Sequence, residues 1–259
     1  MSPPGRPKGD TPLRKRVSAA EWQTRVDLAA CYRIAAHFRL TDLIYTHISA
    51  RVPGTHEHFL INAYGLLFDE ITATNLVKVT QGGDIVEDRT GLGINPAGYV
   101  IHSAVHAARP DVGCVMHTHT GAGLAVAAQR SGLLPLSQHA MRFTGCLSYH
   151  DYEGIALDTA ERERLVRDLG GNDAMILRNH GLLTCGPSVR AAFDLMYYLE
   201  RACQAQIAAM AGGVPLVLPP AEVAQKVARQ FARPGRTAPD TGWAALLRML
   251  DRTDPSYKT

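Results

Sequence analysis

The sequence predicts an α/β protein in which short strands and amphipathic helices are layered within one domain. Three observations predict this class. Runs with helical periodicity and β-rich runs are interleaved along the chain without a break in composition. Glycine pairs and capping residues separate these runs at short intervals. The 259 residues, 46% hydrophobic and 20% charged, are enough to bury a large core.

The chain begins with residues 1–17, which are rich in Pro, Gly and basic side chains and predict a disordered, solvated tail. Ser18-Ala19-Ala20-Glu21 is typical of a helical capping box. Apolar residues at helical spacing then predict a helix that ends near Phe38. We therefore expect the folded part of the chain to begin at residue 18.

The next segment changes from helical to strand periodicity. β-rich runs at 44–52 and 57–61 predict two strands, and Gly82-Gly83 predicts the turn of a hairpin. Asn95-Pro96 is typical of a helix start, and Pro110 discourages continuation beyond about residue 108.

The remaining chain repeats the same alternation and ends with a weaker helical segment. The elements predicted here are a buried strand at 112–119, helices at 121–130 and 158–170, strands at 174–177 and 182–185, a long helix from 187 to 211, and two weaker helices at about 221–231 and 241–250. We expect a single domain over 18–259, whose C-terminal helical tail begins at about residue 214.

Composition argues against several classes of protein. A net charge of +3 gives no indication of a nucleic-acid partner. No segment reaches the roughly 18 apolar residues that a membrane helix needs, and the polar N-terminus does not resemble a signal peptide. The five cysteines are odd in number and widely spaced, which is typical of buried thiols in a reducing compartment. A cytoplasmic protein with a small-molecule partner is the expectation.

Three of the eleven histidines stand in a pattern that suits a metal ion. His117 and His119 are two residues apart at the end of a predicted strand, so their side chains point to the same face. His180 lies in a tight strand–turn–strand segment beside Gly181, where the backbone can fold closely around a site. Catalytic zinc commonly takes three protein ligands and a water. The spacing alone leaves open that these are core histidines with ordinary hydrogen bonds.

The residues around these histidines resemble the class II aldolase/adducin family over about residues 25–212. The matching runs are Val115-Met116-His117-Thr118-His119-Thr120 and Ile176-Leu177-Arg178-Asn179-His180-Gly181-Leu182, with Gly93-Ile94-Asn95 and Tyr149-His150-Asp151-Tyr152-Glu153-Gly154 closest to the adducin head-domain branch.

This resemblance implies a three-layer α/β/α fold with a central, largely antiparallel sheet. It also implies a divalent metal ion bound by His117, His119 and His180, with zinc favoured and manganese, cobalt or iron as alternatives. Members of the family often form homotetramers with the active site between subunits. The metal would act as a Lewis acid in carbon–carbon cleavage.

The sequence departs from the sugar-phosphate aldolases at their phosphate and acid/base positions. Gly98 stands where those enzymes have a glutamate, and Pro96 and Ala97 stand where they have two phosphate-binding serines. Thr46-His47 matches their Gly-Asn phosphate loop, whereas Gly65 is retained. We therefore expect a substrate that is not a sugar phosphate, with Thr46 and Gly65 as substrate-binding residues.

Two histidines are candidates for the missing acid/base group. His139 falls where the aldolases place a tyrosine that reaches into the neighbouring subunit's site. His47 lies in the former phosphate loop, where it could transfer a proton or bind a substrate carboxylate.

The other polar positions have simpler interpretations. His102 and His106 are four residues apart on one helical face, which packing alone explains. His56 and His58 lie in a probable loop and are discounted as ligands. A polar cluster that begins at His150 and includes Asp151 and Glu153 reads equally well as a solvated turn.

Three functions remain open at this stage. The first is a divalent-metal-dependent lyase, of the aldolase or decarboxylase type, acting on a small hydroxy or oxo compound. The second is a non-enzymatic module, either an adducin-like oligomer or a small-molecule sensor, because a fold does not determine a function. The third is a metal-dependent isomerase.

Overall fold

The computed structural model of the protein describes residues 12–154, 159–232 and 241–259. One eight-stranded sheet crosses it, in the order β4-β3-β2-β1-β5-β8-β7-β6. The strands are β1 (His47–Arg51), β2 (His58–Ile61), β3 (Val77–Thr80), β4 (Ile85–Glu87), β5 (Cys114–Thr118), β6 (Leu147–His150), β7 (Ala174–Leu177) and β8 (Gly181–Gly186). The α-helices are α1 (Ala19–His37), α2 (Pro96–Ala108), α3 (Gly121–Ala127), α4 (Gln138–Met141), α5 (Thr159–Leu169), α6 (Val189–Met210), α7 (Ala221–Phe231) and α8 (Thr241–Thr253).

The sheet is largely antiparallel, as the family resemblance implied. Only β6 and β7 pair in parallel, and every other neighbouring pair of strands is antiparallel. In the central pair, β1 and β5, His47 lies directly opposite His117. The register of these two strands therefore brings two of the predicted site histidines side by side.

Alternate residues of the central strands enter two different hydrophobic cores. Cys114 and Met116 pack with residues of α1 and α6 on one face of the sheet. Val115 packs on the opposite face, in a core that includes Val105 of α2 and Leu165 of α5. Because side chains alternate along a strand, one sheet separates two helical layers. The predicted three-layer α/β/α fold is confirmed.

Helix α1 is attached to the sheet through a buried arginine. The Ser18 hydroxyl accepts a hydrogen bond from the Glu21 amide at 3.0 Å, as the capping pattern predicted. The Arg25 guanidinium is fully buried, pairs with Glu21 at 3.1 Å and donates to the carbonyls of Ala73 and Leu76. These bonds connect α1 to the segment that leads into β3.

The two ends of the chain were only partly predicted. Residues 1–11 of the predicted tail lie outside the described residues, but Leu13–Lys15 form a 3-10 turn in which Leu13 is buried. The prediction of a disordered tail is therefore wrong for residues 12–17. At the other end α7 and α8 lie where the weaker helices were predicted. The chain then returns to α1, where Arg33 pairs with Asp254 at 2.9 Å.

Strand β6 was missed because its pattern is not hydrophobic. Its inward positions are Ser148 and His150, while Leu147 and Tyr149 are only partly buried. A search for alternating apolar residues therefore finds no strand there. The reading of His150 as part of a solvated turn is wrong, because it lies buried in the sheet. Within the described ranges, no helix combines the length and apolar character that crossing a bilayer requires.

Replacing Arg25 with alanine is expected to lower the free energy of unfolding by about 3 kcal/mol, because it removes a buried partner from a carboxylate and two carbonyls. Urea unfolding followed by circular dichroism measures this. Arg16→Ala is the control, since the Arg16 side chain is 45% exposed in its pair with Glu87; it should cost less than about 1 kcal/mol. Equal losses in the two variants would contradict the anchoring role of Arg25.

Candidate metal centre

Three histidines meet where β5 ends and β8 begins. His117 is in β5, His119 follows the end of this strand, and His180 immediately precedes β8. One nitrogen from each of the three imidazoles lies within 4.8 Å of the other two. The antiparallel pairing of β5 with β8 produces this meeting, because it sets Thr118 opposite Leu182.

The turn that carries His180 depends on glycine. Asn179 has a φ of 55° and Gly181 a φ of 153°, both in the region that L side chains rarely adopt. A Cβ at Gly181 would lie 2.4 Å from the carbonyl oxygen of Thr118. The backbone therefore approaches the end of β5 more closely than any other residue would permit, as the sequence indicated.

Hydrogen bonds determine which nitrogens of His117 and His119 face the centre. Nδ1 of His117 is 2.9 Å from the carbonyl oxygen of Leu182, and Nδ1 of His119 is 3.0 Å from Oδ2 of Asp42. Both partners are acceptors, so each Nδ1 carries the hydrogen and donates it. Nε2 is then the nitrogen that each ring turns to the centre, and such outer partners are typical of metal-binding histidines.

The Nε2 atoms of His117 and His119 lie 2.8 Å apart. At this distance the two nitrogens share either a proton, as an N–H···N hydrogen bond, or a bound cation. Burial, the largest cause, lowers the pKa of His117 well below its ordinary value and that of His180 to about 4, so these two rings stay neutral near pH 7. Imidazole nitrogens with bare lone pairs are good ligands for zinc and related ions. The donor set therefore fits a divalent metal ion.

His47 occupies the space beside this cluster that Gly98 leaves open. Its ring is buried and stacks on His117, with 5.4 Å between ring centroids. A Cβ at Gly98 would lie 2.3 Å from Cδ2 and 2.4 Å from Nε2 of His47. A larger residue at Gly98, such as a glutamate, is incompatible with this position of the ring. The departures from the aldolase pattern at positions 47 and 98 therefore depend on each other, because the ring of His47 requires a residue without a side chain at position 98.

His102 and His106 are buried and hydrogen-bonded to this side of the site. Nε2 of His102 lies 3.1 Å from Nδ1 of His47, and Nδ1 of His102 lies 2.5 Å from the Ser49 hydroxyl. The same hydroxyl is 2.8 Å from Nε2 of His106. Burial lowers the pKa of both His102 and His106 to about 3. Both residues pack in the interior, as the sequence indicated. Together with Ser49 they also form a continuous set of hydrogen bonds that reaches His47.

Three other predicted site residues form no recorded hydrogen bond or ring contact with the cluster among the described residues. Thr46 is fully buried, and its Oγ1 has no hydrogen-bond partner among the described residues. Gly65 is exposed in a turn with a φ of 99°. His139 is exposed on α4, where its ring lies 4.9 Å from that of Tyr198. Roles for these three residues in binding or catalysis stay predictions.

Two residues near the centre were not predicted. Asp42 orients His119, but no local pattern marks it, because it lies 77 positions away in the chain. Nδ1 of His150 donates to Asp168 at 2.7 Å, and its Nε2 is 3.7 Å from Glu161. It shares a small cavity with Tyr152 and His180. The polar residues at alternate positions 148 and 150 could have indicated a strand whose buried face is polar.

A layered α/β fold with three histidines gathered at strand ends defines a class of α/β domain with a candidate metal centre, and comparison with known proteins identifies the family. The pattern of the Class II Aldolase and Adducin N-terminal domain matches residues 26–207. The chain belongs to the class II aldolase/adducin family.

The relatives include proteins named after the class 2 aldolases and proteins named as adducins. A Pseudomonas aeruginosa protein named after the class 2 aldolases is 52% identical over 250 residues, covering 95% of this chain and 96% of that protein. Mouse α-adducin is 49% identical over 189 residues, covering 72% of this chain but 26% of the adducin. A crystal structure of an aldolase II superfamily protein from Pseudomonas syringae has a TM-score of 0.92 and 60% identity, covering 95% of this chain and 99% of that one.

The stability of the protein without metal is expected to fall as pH drops below about 6.5. His102 and His106 bind protons near 6.5 when unfolded but only near pH 3 when folded, so the unfolded state binds more protons between these values. Each ring should contribute a slope of about 1.4 kcal/mol per pH unit. Urea unfolding with a chelator at pH 7, 6 and 5 measures it.

The control for this slope uses two histidine variants. His106→Gln should reduce the slope, whereas His56→Gln should leave it unchanged, because His56 is exposed. If both variants keep the wild-type slope, the buried histidines do not cause the pH dependence.

Proposed function

We propose that the protein is a divalent-metal-dependent lyase that cleaves a carbon–carbon bond in a small hydroxy or oxo compound. The observation that carries this proposal is the meeting of His117, His119 and His180, whose ring nitrogens lie within 4.8 Å of one another. A divalent ion bound there supplies Lewis-acid polarisation of a substrate oxygen. Zinc suits three imidazoles best, with manganese, cobalt or iron as alternatives. The four buried free cysteines fit the reducing, cytoplasmic location expected from the sequence.

The surroundings of the cluster support a substrate without a phosphate group. Pro96 and Ala97 have no hydroxyl to offer, and His47 fills the space beside Gly98. Burial, followed by its histidine neighbours, lowers the pKa of His47 well below its ordinary value, so the ring carries no positive charge near neutral pH. A phosphate dianion would find no charge-assisted hydrogen bond from these residues.

His47 is proposed as the residue that exchanges a proton with the substrate. It is the residue that takes the place beside the cluster where the aldolases have a carboxylate, and it contacts the ring of the ligand His117. Thr46 and Gly65 are proposed to border the substrate on the same side, as the matched positions of the family imply.

A second copy of the chain is proposed to complete the site within a homotetramer. His139 is exposed, and α4 packs on α6 and α7 rather than on the histidine cluster. An exposed imidazole on this helix is available to a neighbouring subunit, where it would act as a second proton carrier.

The competing proposal is a non-enzymatic module, and one observation favours it. The chain is 49% identical to mouse α-adducin over 189 residues. A metal site could survive in such a protein for structural reasons alone, so metal content must be measured together with cleavage of candidate hydroxy and oxo acids.

His117→Ala is expected to remove most of the bound metal, because it deletes one of three ligands. Purified wild-type protein should contain about one equivalent of divalent metal by plasma mass spectrometry. His56→Ala, at an exposed histidine outside the cluster, is the control and should retain it. Full retention of metal in His117→Ala would contradict the site. Metal without cleavage of any candidate would favour the non-enzymatic module.

His139→Gln is expected to lower kcat by about 10²-fold or more and to alter its pH profile, because proton transfer by a positioned group contributes that much. The oligomeric state, measured by light scattering, should stay the same. His37→Gln is the control, because His37 is exposed at the end of α1. Unchanged turnover and pH profile in His139→Gln would exclude its role.

A further inference from the structure

The segment between α6 and α7 exposes large apolar side chains to solvent. Five side chains in and beside this segment are at least 39% exposed: Met210, Val214, Val217, Leu218 and Val223. The sequence contains no charged residue from 202 to 221. A run of exposed apolar residues without an interspersed charge is typical of a surface that contacts another molecule. We refer to residues 214–220 as the apolar arm.

The backbone of the apolar arm is extended and unpaired. Pro215, Pro219 and Pro220 each fix φ at about −65°, and a residue that precedes proline is biased toward extended conformations. Pro220 has a φ of −55° and a ψ of 147°, close to the values of a polyproline II helix. Among the described residues, 214–219 make no backbone–backbone hydrogen bond. Segments of this kind bind by packing against aromatic rings.

A groove of about 400 Å³ with aromatic walls lies on the same chain, where α6 meets α8 and the end of α1. Five aromatic residues line it: Phe38, Phe193, Tyr197, Tyr198 and Trp243. Ring centroids are 5.0 Å apart for Phe38 and Tyr197 and 5.9 Å apart for Phe193 and Trp243. Tyrosine and tryptophan can also donate hydrogen bonds to backbone carbonyls. This aromatic groove is therefore chemically complementary to a proline-rich, extended segment.

The apolar arm does not occupy the aromatic groove of its own chain. Tyr197 in the groove and Met210 beside the arm lie on the same helix, about 20 Å apart along its axis. Val217 is 90% exposed, which is incompatible with a position between aromatic rings. An arm that fills this groove therefore comes from another molecule.

The aromatic groove lies on the face that the proposed homotetramer would cover. Tyr198 lines the groove, and its ring is 4.9 Å from that of His139. His139 is exposed and is proposed to enter the site of a neighbouring subunit. A neighbouring copy close enough to receive His139 would lie against the groove, and that copy carries the same apolar arm.

We infer that the apolar arm of one copy binds in the aromatic groove of a second copy of this chain. The arm and the groove are different surfaces, so the contact is heterologous, and a repeated heterologous contact closes a ring when the rotation permits. The inference rests on the homotetramer of the proposed function, and it assigns the contact that joins adjacent subunits.

Val217→Asp tests the arm without disturbing the fold, because this side chain is in water in the single chain. In the oligomer the carboxylate would be buried among aromatic rings, so we expect the dissociation constant of the oligomer to rise about 10-fold or more. Sedimentation velocity over a dilution series measures this constant. Val86→Asp is the control: Val86 is 49% exposed on the edge strand β4, and its variant should keep the wild-type constant.

Two outcomes of this experiment would overturn the inference. One is a wild-type chain that is monomeric throughout the dilution series. The other is a wild-type dissociation constant in folded Val217→Asp protein.

A mixture of two variants tests the pairing of arm and groove directly. Tyr197→Ala removes a ring of the groove and retains the arm, whereas Val217→Asp retains the groove. Each variant alone should associate weakly, and the mixture should form a heterodimer through the intact arm and the intact groove. A mixture that associates no more strongly than either variant alone would contradict the pairing.

A synthetic peptide of residues 213–221 decides the question if Tyr197→Ala does not fold. Calorimetry should show this peptide binding to Val217→Asp protein about 10-fold more tightly than the same peptide with Val217→Asp, since the substitution places a charge among aromatic rings. Equal binding of the two peptides, or no binding of either, would overturn the inference.

Failure of this inference is distinguishable from failure of the proposed function. An oligomer that survives Val217→Asp would overturn the arm as the contact and leave the homotetramer in place. Absence of cleavage would remove the proposed lyase function, while the dissociation constants and the peptide binding would still decide the contact.

Discussion

The hydrogen bonds from Nδ1 of His117 to the Leu182 carbonyl and from Nδ1 of His119 to Asp42 turn the two Nε2 atoms toward each other. This arrangement depends on the sheet, because pairing of β5 with β8 sets the Leu182 carbonyl beside His117. It also depends on the loop before β1, which brings Asp42 to His119 at the end of β5. The architecture thus gathers imidazole nitrogens into a set that fits a divalent cation.

On the side of the site nearest α2, His47 and Gly98 both differ from the sugar-phosphate aldolase pattern, and each of the two residues depends on the other. The register of β1 and β5 places His47 opposite His117, and the missing side chain at Gly98 provides the room for its ring. Changing either residue alone would produce a clash or a void. The two positions therefore have to change together, which explains why His47 and Gly98 depart from the aldolase pattern in the same protein.

Local patterns predicted most of the fold and the three histidines that the structure brings together. The spacing of His117 and His119 on a strand and the glycine after His180 are properties of adjacent residues, so the sequence displays them directly. The three-layer arrangement came from the family resemblance. Asp42, His150 and the chain through Ser49, His102 and His106 could not be predicted, because they depend on contacts between elements that are distant in sequence. Strand β6 was hidden because polar residues fill its buried positions.

The contact between Gly181 and the Thr118 carbonyl has a consequence for how the protein matures. In small zinc modules the unfolded chain has no site, and metal binding itself drives folding. Here backbone packing already fixes the turn of His180 against β5, and hydrogen bonds already orient the other two imidazoles. Chain folding and metal loading can therefore be separate events. Removal of the proposed ion would therefore be expected to leave this part of the fold in place, because contacts within the chain hold the turn and the strand end together.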